Sequence, residues 1–220
     1  MPDVVPATLL FDYQFRIPHC AAPSRRKTGR LLSLKKESRL PELCTADGHS
    51  PFASMQAAWN EDGLGLVGSV RGRTTRPSGN RHSPDASDGF EVWIDTRPAG
   101  NVRRATEYCH RLACLPVDEE NDGAPSIISL PIPQQRDIRG EFQPQTAQLR
   151  VHFVKDGYDL EVWIPGSQLY GYAQTNELRQ LGFYSLFRDT TQGEQPLTVS
   201  DEFPFVWDPS LWVRLELTDA

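Results

Sequence analysis

The chain has 220 residues, 23 basic and 29 acidic side chains, a net charge of -6 and 38% hydrophobic residues. It is long enough to bury a sizeable core, and its acidic balance speaks against nucleic acid as the main partner, because phosphate binding needs a clustered basic surface. No apolar run long enough to span a bilayer and no basic-then-apolar leader is visible, and four cysteines are too sparse for a disulfide framework, so a cytoplasmic protein with reduced thiols is the expectation.

In chain order, Leu9, Phe11, Tyr13, Phe15 and Ile17 alternate on one face and predict a half-buried first strand over 9–17. From Arg16 to Arg39 there are eight basic residues and one acidic one. This block reads as a solvated loop with Leu31, Leu32 and Leu34 as core anchors, a partner-binding arm over 25–39 being the alternative. Residues 55–60 and 64–71 predict a hairpin turning at Glu61-Asp62-Gly63. Within it Gly63, Gly65 and Gly68 match G-x-G-x-x-G, a pattern that marks a dinucleotide site only where a strand opens into a helix. The following Arg-, Thr- and Pro-rich residues do not make a helix, so that reading is rejected.

A polar loop over 72–88 leads to the segment Asp88-Gly89-Phe90-Glu91-Val92-Trp93-Ile94-Asp95, which returns as Asp156-Gly157-Tyr158-Asp159-Leu160-Glu161-Val162-Trp163-Ile164. Each copy opens on an Asp-Gly turn signal and alternates. Phe90, Val92 and Ile94 oppose Glu91, Trp93 and Asp95 in the first, and Tyr158, Leu160, Val162 and Ile164 oppose Asp159, Glu161 and Trp163 in the second. Further strands are predicted over 104–115, 148–155, 179–189 and 211–217. An acidic turn over 118–123, a Pro/Gln-rich connection over 131–146 and an irregular or helical crossover over 165–176 join them. Eight to eleven strands with little helix predict an all-β fold, an antiparallel β-sandwich of jelly-roll or immunoglobulin-like type, as a single domain over 1–220 with long loops.

The sequence Ala58-Trp59-Asn60-Glu61-Asp62-Gly63-Leu64, the Asp88–Asp95 segment, the Tyr158–Pro165 strand ending in Ile-Pro, Leu181-Gly182-Phe183-Tyr184 with Arg188-Asp189, and Trp212–Leu217 together resemble the family 9 carbohydrate-binding modules and the related DOMON-like sandwiches. The resemblance spans about 55–218 and leaves 16–54 as a loop-rich N-terminal extension. It implies a jelly-roll-like sandwich, sugar held by aromatic side chains, and structural calcium, held through Asp88, Asp95 or Asp189. No cofactor is otherwise expected.

The residues add a binding reading of their own. Trp93 and Trp163 oppose the core stripe of their strands, and an exposed indole offers a flat apolar face to sugar C–H groups. Glu91, Arg111 and Arg188 supply a carboxylate and two forked donors for hydroxyls, the competing reading being an ion pair with Glu91, Asp95 or Glu107. His110 joins them. Trp59 and Trp212 are assigned to the core, and Trp207 is left open. Cys109 and Cys114 lie five apart, so they face opposite ways and share no zinc. No nucleophile elbow, metalloprotease motif or phosphate loop is present. The expectation is a non-catalytic module for a carbohydrate or similar small polar ligand. A protein-interaction module using 25–39 or 72–88 is the alternative, and a glycan-acting enzyme with a pocket walled by Glu107, His110 and Arg111 comes third.

Overall fold

The computed structural model describes residues 10–26, 28–48, 50–100 and 102–219. Among these residues eleven strands form two sheets: β1 (Gln14–Pro18), β2 (Ala53–Asn60), β3 (Gly63–Arg71), β4 (Gly89–Asp95), β5 (Cys109–Asp118), β6 (Ala124–Leu130), β7 (Gln148–Val154), β8 (Gly157–Pro165), β9 (Gln180–Asp189), β10 (Gly193–Pro196) and β11 (Val213–Thr218). The larger sheet runs β1-β11-β9-β4-β5-β6 with β10 paired to β9, and the smaller runs β2-β3-β8-β7. Among the described residues the α-helix is a single turn, α1 (Thr175–Leu178). The expected all-β sandwich is therefore the observed one, with antiparallel pairing between the strands except that β1 runs parallel to β11 at one edge, and the isolated bridge from His19 to Trp59 is parallel too.

The two copies of the repeated segment become β4 and β8, each an interior strand of its sheet. Their apolar stripes meet across the sandwich. Phe90, Val92 and Ile94 share one core with Tyr158, Leu160, Val162 and Ile164, together with Trp59, Leu66 and Phe183. The Asp-Gly signal has a steric reason in the first copy. Gly89 sits at φ +146°, and a Cβ there would run into the carbonyl oxygen of Cys114 on β5. The glycines of the G-x-G-x-x-G match lie within β3. A Cβ on Gly68 would meet the Phe90 ring at 2.5 Å, and one on Gly65 would meet Leu32 at 3.2 Å. Both are close-packing glycines on opposite faces of a strand.

Leu9 lies outside the described residues. Of its stripe, Ile17 is buried, Phe15 and Tyr13 are half-buried and Phe11 is exposed, so the first strand dips into the core only at its end. The strand expected from 104 begins at Cys109, because 103–108 instead crosses the outer face of the larger sheet, where Ala105 N–H donates to Trp207 O at 3.2 Å. Two strands escaped prediction. β6 follows the acidic turn without clean alternation, and β10 has only four residues. The thiols of Cys109 and Cys114 do face opposite ways: Cys114 is in the main core and Cys109 in a second apolar cluster outside the larger sheet.

Candidate functional site

Antiparallel register brings Glu91, Arg111 and Arg188 together on the outer face of the larger sheet. Gly89 pairs with Arg188 on β9, and Trp93 with Arg111 on β5, which leaves Glu91 between the two arginines. Arg111 Nε donates to Glu91 Oε2 at 2.8 Å and its Nη2 lies 2.7 Å from the same oxygen. Arg188 Nη1 donates to Glu91 Oε1, and its Nε donates to Glu194 Oε1 at 2.8 Å. The ion-pair reading of both arginines thus holds, with Glu91 as the shared partner. The carboxylate of Asp85, whose side chain is 76% exposed, reaches Arg111 Nη2 at 3.5 Å and Arg188 Nη2 at 3.9 Å. Arg111 Nη1 also points at Pro131 O at 3.5 Å, and the two arginine side chains are only 13% and 17% exposed. Asp85 and Glu194 carry no sequence signal that marks them as members of this cluster.

Trp93 lies on the same face but does not reach solvent. Residues 197–212 fold over it, and Trp93 forms a second core with Tyr184, Val199, Phe205 and Trp212. Its indole N–H donates to Val206 O at 3.2 Å, and Phe205 meets it edge-on at 5.4 Å between ring centres. The Arg111 guanidinium sits 5.1 Å from the Trp93 ring centre. Trp93 thus acts beneath the arginine as a platform. Trp59 is in the main core as expected, Trp212 packs in the second cluster, and Trp207 is half-buried at its margin.

Two of the expected site residues part from this cluster. Trp163 lies on the outer face of the smaller sheet, on the far side of the sandwich, because β4 and β8 turn their apolar stripes toward one another. A single face carrying both tryptophans does not exist. Trp163 is itself covered by Leu31 and Leu32 from the N-terminal extension. His110 pairs with Ile94 and so shares the inward parity of β5, at the end of the sandwich, where Nε2 is 3.4 Å from Tyr170 O. Burial lowers its imidazole to about 4, so the ring is neutral at pH 7. It does line one cleft of about 130 Å³ with Glu107 and Arg111.

The carboxylates implied for calcium are differently engaged. Asp88 and Asp189 flank the buried Arg73 guanidinium, with Nη1 2.8 Å from Asp88 Oδ1 and 2.5 Å from Asp189 Oδ2. Asp88 also accepts N–H groups of Ser78 at 2.8 Å and Thr190 at 2.7 Å. A cation already stands between the two acids, and among the described residues no group of three or more His, Cys, Asp or Glu side chains converges for a metal. The donor set does not fit a calcium ion. Arg73, inside a polar loop, gave no sign in the sequence of this role.

The basic block also folds onto the protein. Arg30 donates to Asp159 Oδ2 at 2.8 Å, Arg71 to Asp159 Oδ1 at 2.6 Å, and the Leu31 amide to Glu161 Oε2 at 2.8 Å. Residues 28–34 are thereby strapped across Trp163.

No family model and no curated protein matches the chain. Solved structures do. A family 9 carbohydrate-binding module from Caldicellulosiruptor kristjanssonii in complex with cellotriose superposes with a TM-score of 0.59 at 11% identity, covering 94% of each chain. A family 9 module from the same organism in complex with glucose gives 0.58 at 11% identity, over 94% of this chain and 96% of that one. A Bacteroides uniformis protein gives 0.55 at 13% identity, over 94% and 99%. At such identities the likeness concerns fold: this chain has the β-sandwich fold of the family 9 carbohydrate-binding modules.

Proposed function

We propose that the protein binds a carbohydrate, without turning it over, on the outer face of the larger sheet at Glu91, Arg111 and Arg188, with Trp93 supporting Arg111 from below. The observation that carries this reading is the pair of guanidiniums locked by one buried carboxylate and bordered by the exposed carboxylates of Asp85 and Glu194. Vicinal hydroxyls suit such a fork, since each can accept from a guanidinium while donating to a carboxylate oxygen. Side chains held in advance lose little freedom on binding, which favours affinity for a small polar ligand. Structures of the same fold holding cellotriose and glucose support the ligand class.

Titration calorimetry with glucose and cellotriose tests it. Saturable heat is expected, with Glu91→Gln and Arg188→Ala each weakening binding at least tenfold while circular dichroism is unchanged, and with the sugar recovered intact after incubation. Silence with every sugar, or full affinity in both variants, would refute the assignment. Release of shorter sugars would refute its non-catalytic part.

A further inference from the structure

A second cleft opens on the same sheet, on the other side of the 197–212 cover, and takes no part in the face just described. It has a volume of about 280 Å³ and is lined by Asp95 at the end of β4, by Asp12, Phe11 and Tyr13 ahead of β1, and by Trp212 and Arg214 from the end of the chain. That volume is near the lower end of small-molecule pockets.

Asp95 is the anomaly that gives the cleft meaning. It is 5% exposed, yet among the described residues its side chain has one hydrogen bond, from the Arg97 amide to Oδ1 at 2.9 Å. Among the described residues no cationic group lies within ion-pair distance of it. The nearest strand neighbours offer no charge: Gly182 faces it on β9 and Cys109 on β5. Arg214, the cation that shares the cleft, leans toward the exposed Asp12 at 3.9 Å and packs so closely on Gly100 that a Cβ there would lie 2.5 Å from its Nη2. A buried carboxylate without a counter-charge is disfavoured unless something else gives a return. The wall mixes polar groups, Thr198 and Ser210 among them, with aromatic ones. Phe11 is 64% exposed, and Phe11, Tyr13 and Phe15 form a row with successive ring centres 6.1 Å apart.

We infer that this cleft is a site for a small organic ammonium ion, whose charge is taken by Asp95 and whose apolar body lies along Phe11 and Tyr13. An ammonium supplies up to three N–H donors to a carboxylate that has one partner, and ring faces attract cations. The two acids outnumber the one arginine, so the cleft selects cations over anions. A neutral hydroxylated ligand would use the donor and acceptor positions but leave the buried charge uncompensated.

The test is a two-dimensional NMR titration of the whole chain with benzylamine at pH 7.5, against benzyl alcohol as the neutral isostere. Benzylamine is expected to shift the amides of Gly100, Gly182 and Arg214 saturably, and the alcohol to bind at least tenfold more weakly. Asp95→Asn, which keeps an oxygen for the Arg97 amide, should lose the binding tenfold or more. Arg214→Met should tighten it a few-fold by removing the competing positive charge, a gain that structural damage does not produce. Equal binding of amine and alcohol, unchanged affinity in Asp95→Asn, weaker binding in Arg214→Met, or shifts centred on Arg111 and Arg188 would each overturn the site.

Discussion

Replacing Asp95 by Asn should make the protein more stable at neutral pH, and the size of the gain follows from burial. Burial raises the Asp95 carboxyl from 3.8 to about 6, only partly offset by the Arg97 amide. Between those values the folded state binds more protons than the unfolded chain, so stability falls as pH rises through roughly 4 to 6 and stays lower above. A shift of about two units at about 1.4 kcal/mol each puts the cost of the ionised group near 3 kcal/mol at pH 7.5. Asn is never ionised, keeps the amide contact, and turns its added NH2 to the cleft. Urea unfolding should therefore show Asp95→Asn more stable by about 2–3 kcal/mol at pH 7.5, a thermal midpoint roughly 5–10 °C higher, with the gap closing at pH 4. The Cys109 thiol, raised to about 12 by burial and by the Asp95 charge, should become easier to ionise in the variant. A variant less stable than the parent at pH 7.5, or one whose gain is the same at pH 4, would show that Asp95 has a compensating partner and would remove the reason for a ligand at its cleft.

Arg73→Ala leaves Asp88 and Asp189 facing each other in the interior and should cost about 3–5 kcal/mol, read by urea unfolding. Millimolar calcium should recover part of that loss in the variant and leave the parent unchanged; equal calcium effects on both would show that the guanidinium does not fill the cation's place. Asp159→Asn removes the carboxylate that holds Arg30 and Arg71, and hydrogen exchange of residues 28–34 at pH 7 should quicken about tenfold or more, with residues 197–212 unaffected. Equal acceleration in both segments would mean that the strap does not open on its own.

The strands were legible where one physical demand governed the pattern. β4 and β8 must present alternate residues to a shared core, so both face assignments held residue by residue, and the sandwich followed from the number and spacing of such strands. The outer faces followed a demand the alternation does not contain. Glu91, Trp93 and Asp95 have the same parity, yet one is locked between arginines, one is roofed and one faces a cleft. The difference lies in segments 85, 194 and 197–212, distant in sequence. Trp93 and Trp163 were paired because their segments look alike, but two copies of one pattern, packed face to face through their apolar stripes, point their tryptophans in opposite directions. Arg73 was invisible because a buried arginine and a solvated one look the same in a polar loop.

The two covers share apolar packing but differ in their polar contacts. On the smaller sheet the strap is held by ionised groups as well as by Leu31 and Leu32 packed on Trp163: burial pushes the Asp159 carboxyl up, while the hydrogen bonds from Arg71 and Arg30 more than offset this and hold it below the usual range. The side chains of Arg30 and Arg71 are about half exposed, so screening and acid both weaken their pull. On the larger sheet the cover is held by aromatic packing and by indole and phenol donors reaching loop carbonyls, with Trp212 Nε1 donating to Phe205 O at 2.7 Å and the Tyr184 hydroxyl to Val199 O. Neither salt nor acid removes those contacts. The 197–212 cover is thus a fixed wall, and it keeps apart the two places proposed above, the Glu91, Arg111 and Arg188 cluster for a carbohydrate and the Asp95 cleft for an organic ammonium ion, so that a ligand of one should leave the other undisturbed.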